Sequence, residues 1–361
     1  MTVSGFARFS LTALIVVGLV ALQDQRVQTQ QQRGGTPMTD KVQPVNTGAN
    51  PYRALFPWAQ FVTEKRPWGG SNGVAIDRDG RSVWAVERCS PGTTPGCLGS
   101  TGNPVHHFDE SGKEIRSFGA GMFVWPHGIH VDRDGNVWVA DSRAESGIGS
   151  YVVKFSPEGK VLMTLGKAGV TGNPPEALTD PTNVITDPAN GDVYISESHT
   201  NVADPNLIGR ISVFDRNGKF LRSMGKAGMG PGEFRTPHAM AWDSQGQLVV
   251  ADRHNHRLQV LTKEGKFIRE YDQFGRISGL AIDANDIMYT TDSESDEERH
   301  PGWRRGIRIG SMKDGKVTTF IPAHTTESLD GTMGEGIAVD AAGNIFSGET
   351  NLRGVAKYVK N

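Results

Sequence analysis

Two histidines share the same local setting, Pro126-His127-Gly128-Ile129 and Pro237-His238-Ala239-Met240. Each stands just before a short apolar run that closes on an aspartate, Asp132 or Asp243. Glu335 holds the same place ahead of Gly336-Ile337-Ala338-Val339-Asp340. Two imidazoles and a carboxylate form a donor set for a divalent metal. Zinc accepts His nitrogen and carboxylate oxygen, and a catalytic zinc keeps one coordination position open. Arg88 and Arg253 form a second set, each directly following an acid that ends an apolar run, Glu87 and Asp252. A guanidinium so placed can hold a carboxylate or stabilise a developing oxyanion. His199 lies one residue beyond the matching position, Ser198, and offers a base or a further metal neighbour. The bland alternatives are hydrated polar residues without a metal, arginines paired to nearby acids, and a loop histidine.

What makes these positions equivalent is an internal repeat. A short apolar strand leads to Asp, a Gly-type turn follows, and a second apolar strand ends in an acid. The pairs are 73–77 with 83–87, 128–132 with 137–141, 183–187 with 193–197, 239–243 with 248–252, 279–283 with 287–292, and 336–340 with 345–349. Turns such as Asp79-Gly80 and Asp134-Gly135-Asn136 tolerate positive φ and close tight hairpins. Third and fourth strands follow most pairs, as at 151–155 and 219–224. Four antiparallel strands per unit make a propeller blade, and six units make a closed ring. The last unit stops at its third strand, so Arg53 to Val62 is expected to supply the fourth and close the ring. A linear solenoid would leave open strand edges, which invite aggregation. In a propeller the first strand of each blade lines the central channel. The residues opening those strands are Asn72, His127, Thr182, His238, Ser278 and Glu335, all polar. Asn72, Thr182 and Ser278 are therefore expected to line the channel beside the candidate metal ligands. The acids ending the second strands recur in every unit, which argues for capping of loop N–H groups over chemistry.

Composition bounds the rest. Apolar residues are 37% of the chain, enough for a large core, and 45 glycines with 19 prolines favour short strands and turns. A formal net charge of -2, with no basic-aromatic stripe, gives no nucleic-acid signal. Arg8 precedes the apolar run Leu11 to Leu22, which suits a signal peptide and is short for a membrane span. Residues 1–22 are thus expected to direct export to the periplasm or the exterior, or, if uncleaved, to anchor the chain in a membrane. Residues 23–50, rich in Gln, Thr, Gly and Pro, read as a disordered linker, and 51–361 as the propeller. Cys89 and Cys97 fall in one Gly/Pro-rich loop and are expected to form a disulfide in an exported protein. A two-thiolate metal site is the alternative. The acidic run Asp292 to Glu298 is a candidate structural calcium site or a solvated loop. The expected partner is a small-molecule or peptide substrate, and the expected state a monomer.

Over residues 52–361 the repeat resembles the NHL family, which implies an all-β, six-bladed β-propeller. Within it, several residues look like the peptidyl-α-hydroxyglycine α-amidating lyases, zinc enzymes that release glyoxylate from peptidyl hydroxyglycine. Trp125-Pro126-His127-Gly128-Ile129 and Thr236-Pro237-His238-Ala239-Met240 resemble two zinc-histidine motifs, and Val250-Ala251-Asp252-Arg253 a catalytic-arginine motif. The resemblance implies catalytic roles for Arg88 and Arg253. It also implies a third zinc histidine at the position of Glu335 and a catalytic tyrosine at that of His199, and here the chain departs from the pattern. A histidine in place of the tyrosine makes hydrolysis or another elimination as reasonable as dealkylation. A non-catalytic propeller binding a protein or glycan is the competing function. A lactonase-like or streptogramin-lyase-like enzyme with different ligands is a third.

Overall fold

Alternating apolar runs and tight Asp/Gly turns build six four-stranded antiparallel sheets. The computed structural model describes Met1 and residues 40–61, 66–90, 96–199, 207–324 and 334–361. The apolar run expected to direct export, and residues 23–39 of the expected linker, lie outside the described residues. The sheet that closes the ring joins β1 (Tyr52–Leu55) to the outer edge of the last unit. Blade one comprises β2 (Ser71–Ile76), β3 (Val83–Glu87), β4 (Val105–Phe108) and β5 (Glu114–Phe118). Blade two comprises β6 (Pro126–Val131), β7 (Val137–Glu145), β8 (Ile148–Phe155) and β9 (Val161–Leu165). Blade three comprises β10 (Pro181–Thr186), β11 (Val193–Glu197), β12 (Arg210–Phe214) and β13 (Phe220–Met224). Blade four comprises β14 (Pro237–Trp242), β15 (Leu248–Asp252), β16 (Arg257–Leu261) and β17 (Phe267–Tyr271). Blade five comprises β18 (Gly279–Ile282), β19 (Ile287–Asp292), β20 (Gly306–Ser311) and β21 (Val317–Pro322). Blade six comprises β22 (Gly336–Val339), β23 (Ile345–Glu349), β24 (Gly354–Lys360) and β1. Tyr52 pairs with Lys360 and Leu55 with Lys357, so N- and C-terminal sequence share one blade.

The core lies between blades. Trp84 and Val86 of blade one pack with Val137, Val139 and Val153 of blade two. Val83 and Ala85 pack on Phe346 and Val355 of blade six, which carries the apolar seam around the ring. Burying one such side chain is worth roughly 1.5–3 kcal/mol, so each seam is a strong joint. The repeated aspartates hold the hairpin turns and tie them to the core. Asp132 accepts the N–H groups of Asp134 and Asn136, and also the indole N–H of Trp138 at 3.0 Å. Asp77 accepts that of Trp84 in the same way.

The expected linker extends to Asn50, yet the chain is held from Asp40 onward. The Asn46 side chain donates to Gly302 O at 2.7 Å and accepts from Arg304 N at 2.7 Å. Val45 O accepts from the buried Arg308 guanidinium at 2.8 Å, and Ala49 bridges to Thr319. These polar contacts to blade five replace the apolar burial that the composition lacks. No helix among the described residues is long and apolar enough to cross a membrane.

Candidate functional site

The first strands begin with a fault in their pairing, and that fault aims the site. The register between first and second strands shifts between Ser71 and Gly73, Pro126 and Ile129, Pro181 and Asn183, and Pro237 and Ala239. The residues skipped include Asn72, His127, Thr182 and His238. A bulge leaves its residue unpaired and re-aims the side chain, and bulges are common beside active sites. Ser278 and Glu335 come just before β18 and β22 begin. The small residue after the site position matters as well. A Cβ on Gly128 would lie 2.7 Å from Thr182 O, and one on Gly336 would lie 2.2 Å from Asn72 O. Glycine at these two positions lets neighbouring first strands approach backbone to backbone.

Donor atoms of His127, His199, His238 and Glu335 all lie within 4.8 Å of one another. His127 Nδ1 lies 2.7 Å from Thr182 O, and His238 Nδ1 lies 2.6 Å from Ser278 O. A carbonyl only accepts, so both Nδ1 atoms carry the proton and both Nε2 atoms carry a lone pair. Metal-binding histidines are commonly oriented this way. The Nε2 atoms of His127 and His199 are buried without a partner. The lone pair of His238 Nε2 accepts from Arg253 Nη1 at 2.8 Å. An orphaned buried acceptor, His127 Nε2, converging with two further imidazoles and a carboxylate fits a divalent metal.

Burial and the nearby Arg88 push the His127 imidazole down to about 3. Burial, reinforced by neighbouring positive groups, likewise holds His238 and His199 well below the usual histidine range. All three are therefore neutral at pH 7, as metal ligation or proton acceptance requires. Glu335 Oε2 accepts from Arg88 Nη2 at 3.0 Å and from the Asn72 side chain. Glu335 Oε1 lies 3.6 Å from Arg253 Nη1. The two arginines, from blades one and four, thus converge on one carboxylate. Burial brings Arg88 down to about 10, still protonated. Its guanidinium lies 3.9 Å over one Trp125 ring, and Arg143 also lies 3.9 Å over that ring. The edge of Trp125 meets His199, with ring centroids 4.7 Å apart. Ser198, just before His199, sits at φ 138°, a conformation that is strained for any residue but glycine.

Several expectations need correction or extension. Thr182 is buried and its hydroxyl bonds to Pro237 O at 2.7 Å, while Asn183 faces the channel cavity with Asn72 and Ser278. Thr182 and Ser278 matter through their carbonyls, which orient the two histidines. In the run from Asp292, three carboxylates bond to protein groups. Asp292 is taken by Arg276 N, Ser295 and Arg308, Asp296 by the N–H groups of Glu298 and Arg299, and Glu294 by two arginines. Glu294 is a site residue the sequence reading missed. Its Oε2 lies 3.2 Å from Arg253 and 2.9 Å from Arg276, and Arg276 also reaches His254 at 3.0 Å. The signal was one position further along the repeat, where Arg143, His199, His254 and Glu294 are equivalent. The second-strand acids do cap loops: Asp141 accepts Val124 N and Trp125 N, and Glu87 accepts Gly69 N. Cys89 and Cys97 form a disulfide directly after Arg88.

The NHL repeat family model matches residues 234–261. Over 258 residues the chain is 30% identical to peptidyl-glycine alpha-amidating monooxygenase B of Xenopus laevis, covering 68% of this chain and 27% of that protein. The chain thus spans about a quarter of the length of that relative. It is 32% identical over 152 residues to a probable peptidyl-alpha-hydroxyglycine alpha-amidating lyase of Caenorhabditis elegans, covering 41% of this chain and 39% of that one. It is 30% identical over 259 residues to NHL repeat-containing protein 3 of Mus musculus, covering 70% of this chain and 71% of that one. Among solved structures, a gluconolactonase from Xanthomonas campestris shares the fold, with a TM-score of 0.58, 13% identity, and coverage of 91% and 98%.

Proposed function

The chain belongs to the NHL-repeat β-propeller family and is similar to its amidating lyases, and from that premise we propose that it is an exported, metal-dependent lyase acting on peptides that end in α-hydroxyglycine. The observation that carries this reading is the convergence of His127, His199, His238 and Glu335 within 4.8 Å beneath two buried arginines. His127, His238 and Glu335 would hold the metal, with zinc the best match to two imidazole nitrogens and a carboxylate oxygen. A divalent ion there supplies Lewis acidity toward the substrate's hydroxyl oxygen.

The chain's own residues do the rest. Arg88 and Arg253 take the terminal carboxylate of the substrate through charge-assisted hydrogen bonds. His199, neutral and with a free Nε2, accepts the hydroxyl proton. The C–O bond becomes the carbonyl of glyoxylate as the Cα–N bond breaks, and its electron pair goes to nitrogen. The surroundings that disfavour a charged His199 return the proton to that nitrogen, which leaves as a primary amide. The Cys89–Cys97 disulfide supports an oxidising compartment.

Glyoxylate release from an α-hydroxyglycine peptide by the full-length protein tests the reading. His199→Ala is expected to lower kcat by about 10²–10⁴, the usual worth of a positioned acid-base group. His127→Ala with His238→Ala is expected to abolish metal retention at the channel site. A protein that binds no metal and releases no glyoxylate refutes the proposal and leaves a binding propeller. Metal binding with cleavage of a different bond would mark a hydrolase.

A further inference from the structure

A second group of donors lies outside the channel. Asp40, His256 and His300 place their donor atoms within 4.8 Å of one another. They come from three separate stretches: the segment ahead of β1, the turn between β15 and β16, and the loop between β19 and β20. His300 Nε2 is 2.8 Å from Asp40 Oδ1, and His256 Nδ1 is 3.8 Å from the same oxygen. The two imidazole rings face each other with centroids 3.7 Å apart. The indole N–H of Trp303 donates to the other oxygen, Asp40 Oδ2, at 2.7 Å and fixes the carboxylate.

The hydrogen bonds of this cluster leave one ring nitrogen, His256 Nδ1, without a partner. The Ser295 hydroxyl has one proton and donates it to Asp292 Oδ2 at 2.6 Å. The same hydroxyl lies 3.3 Å from His300 Nδ1, a weak contact beside the 2.8 Å approach of His300 Nε2 to Asp40 Oδ1. The His256 backbone sits at φ 54°, an uncommon conformation for a non-glycine residue.

We propose that Asp40, His256 and His300 form a second divalent-metal site, of zinc type, that fastens residues 40–50 to blades four and five. Two nitrogens and one oxygen suit zinc or a neighbouring transition ion better than calcium or magnesium. Ser295 and Trp303 orient the ligands from behind, as outer-shell partners do. The metal adds to contacts the segment already makes, through Asn46 to Gly302 and Arg304 and through Lys41 to Glu270.

Zinc titration of the metal-stripped full-length protein, read by calorimetry and elemental analysis, tests this. Two zinc ions per chain are expected. Asp40→Asn, which keeps the side-chain shape, and His256→Gln should each remove one of them, weakening that site by more than about 100-fold, beyond the 10–100-fold typical of losing an outer-shell partner. Glyoxylate release should persist in both variants. Hydrogen exchange across residues 40–50 should quicken in metal-free wild type and in Asp40→Asn. A single zinc that is lost with His127 and His238 but retained in Asp40→Asn and His256→Gln overturns the second site and leaves the channel reading intact. A single zinc lost in Asp40→Asn but retained without the channel histidines supports the second site and removes the first.

Discussion

Gly128→Ala couples the fold to the site and can be worked through in numbers. The added Cβ would lie 2.7 Å from Thr182 O and 2.8 Å from Asn183 Cα. Both contacts are backbone, so no side chain can swing clear, and first strands β6 and β10 must separate by about half an ångström to reach ordinary contact. Overpacking of this kind costs about 1–3 kcal/mol. With roughly 2.1 cal/mol/K per residue over about 300 residues, a loss of about 2 kcal/mol lowers Tm by about 3 °C. The same Thr182 carbonyl orients His127 through Nδ1 at 2.7 Å. Pushing it away weakens an outer-shell bond, so zinc affinity should fall about 10–100-fold. Gly121→Ala is the control. It also destabilises, because Gly121 has φ +72°, but its Cβ meets nothing within 4 Å. Calorimetry gives Tm and zinc titration gives affinity. Gly128→Ala losing stability while keeping zinc affinity within twofold of wild type would refute the link between strand spacing and ligand orientation.

Other expectations follow from the same contacts. His130 Nε2 accepts from Thr186 N at 3.2 Å, and burial lowers the imidazole to about 4 from 6.5. The folded state resists protonation more than the unfolded one, so this stability is present above pH 6.5 and is lost as pH falls through 4. It amounts to on the order of 3 kcal/mol, and thermal melts of His130→Gln should show a correspondingly smaller acid-side loss. Trp125→Leu removes the ring beneath Arg88 and Arg143, each 3.9 Å away. At about 1–2 kcal/mol for a desolvated cation–π contact, KM for the hydroxyglycine peptide should rise by about tenfold, and an unchanged KM would separate Arg88 from substrate binding. Replacing both cysteines by alanine opens a loop of sequence separation 8 and should cost about 2.5 kcal/mol in denaturant melts on the chain-entropy account.

The propeller was legible because each blade repeats the same local chemistry: period-two apolar strands, an Asp that holds the turn, and an acid that caps a loop. Alignment of those units also picked out His127, His238, Glu335, Arg88 and Arg253, since equivalent positions in a closed ring face one centre. What alignment cannot weigh is contact across that centre. Whether Arg253 from blade four meets Glu335 from blade six depends on channel width, which no single blade encodes. Glu294 was hidden inside an acidic run whose average character resembles a solvated loop. Asn183 stands at the channel cavity in place of Thr182, whose hydroxyl is turned to Ser196 and Pro237 O. Asp40 was hidden by composition. Its segment is poor in apolar residues and is held instead by hydrogen bonds and ion pairs to blades four and five.

The charges at the channel mouth bear on how a metal and a substrate would work together. Arg88, Arg253 and Arg276 face Glu335 and Glu294 across a buried space, so guanidiniums nearly balance carboxylates. Glu335 is the shared partner of Arg88 and Arg253. On the proposed reading, a divalent ion would draw on the Glu335 carboxylate and on the Nε2 atom that now accepts from Arg253. Both arginines would then lose part of their compensation in a site where an unpaired charge is costly. A carboxylate on the substrate restores it, and in the right place, because both guanidiniums already point at the ligand cluster. Metal and anionic substrate should therefore bind with positive coupling, each tightening the other by the same factor, as linkage requires. The exchange of residue types at 335 and 199 fits this arrangement. A carboxylate at 335 occupies the arginines while the metal is absent, and a histidine at 199 keeps three imidazoles in the cluster.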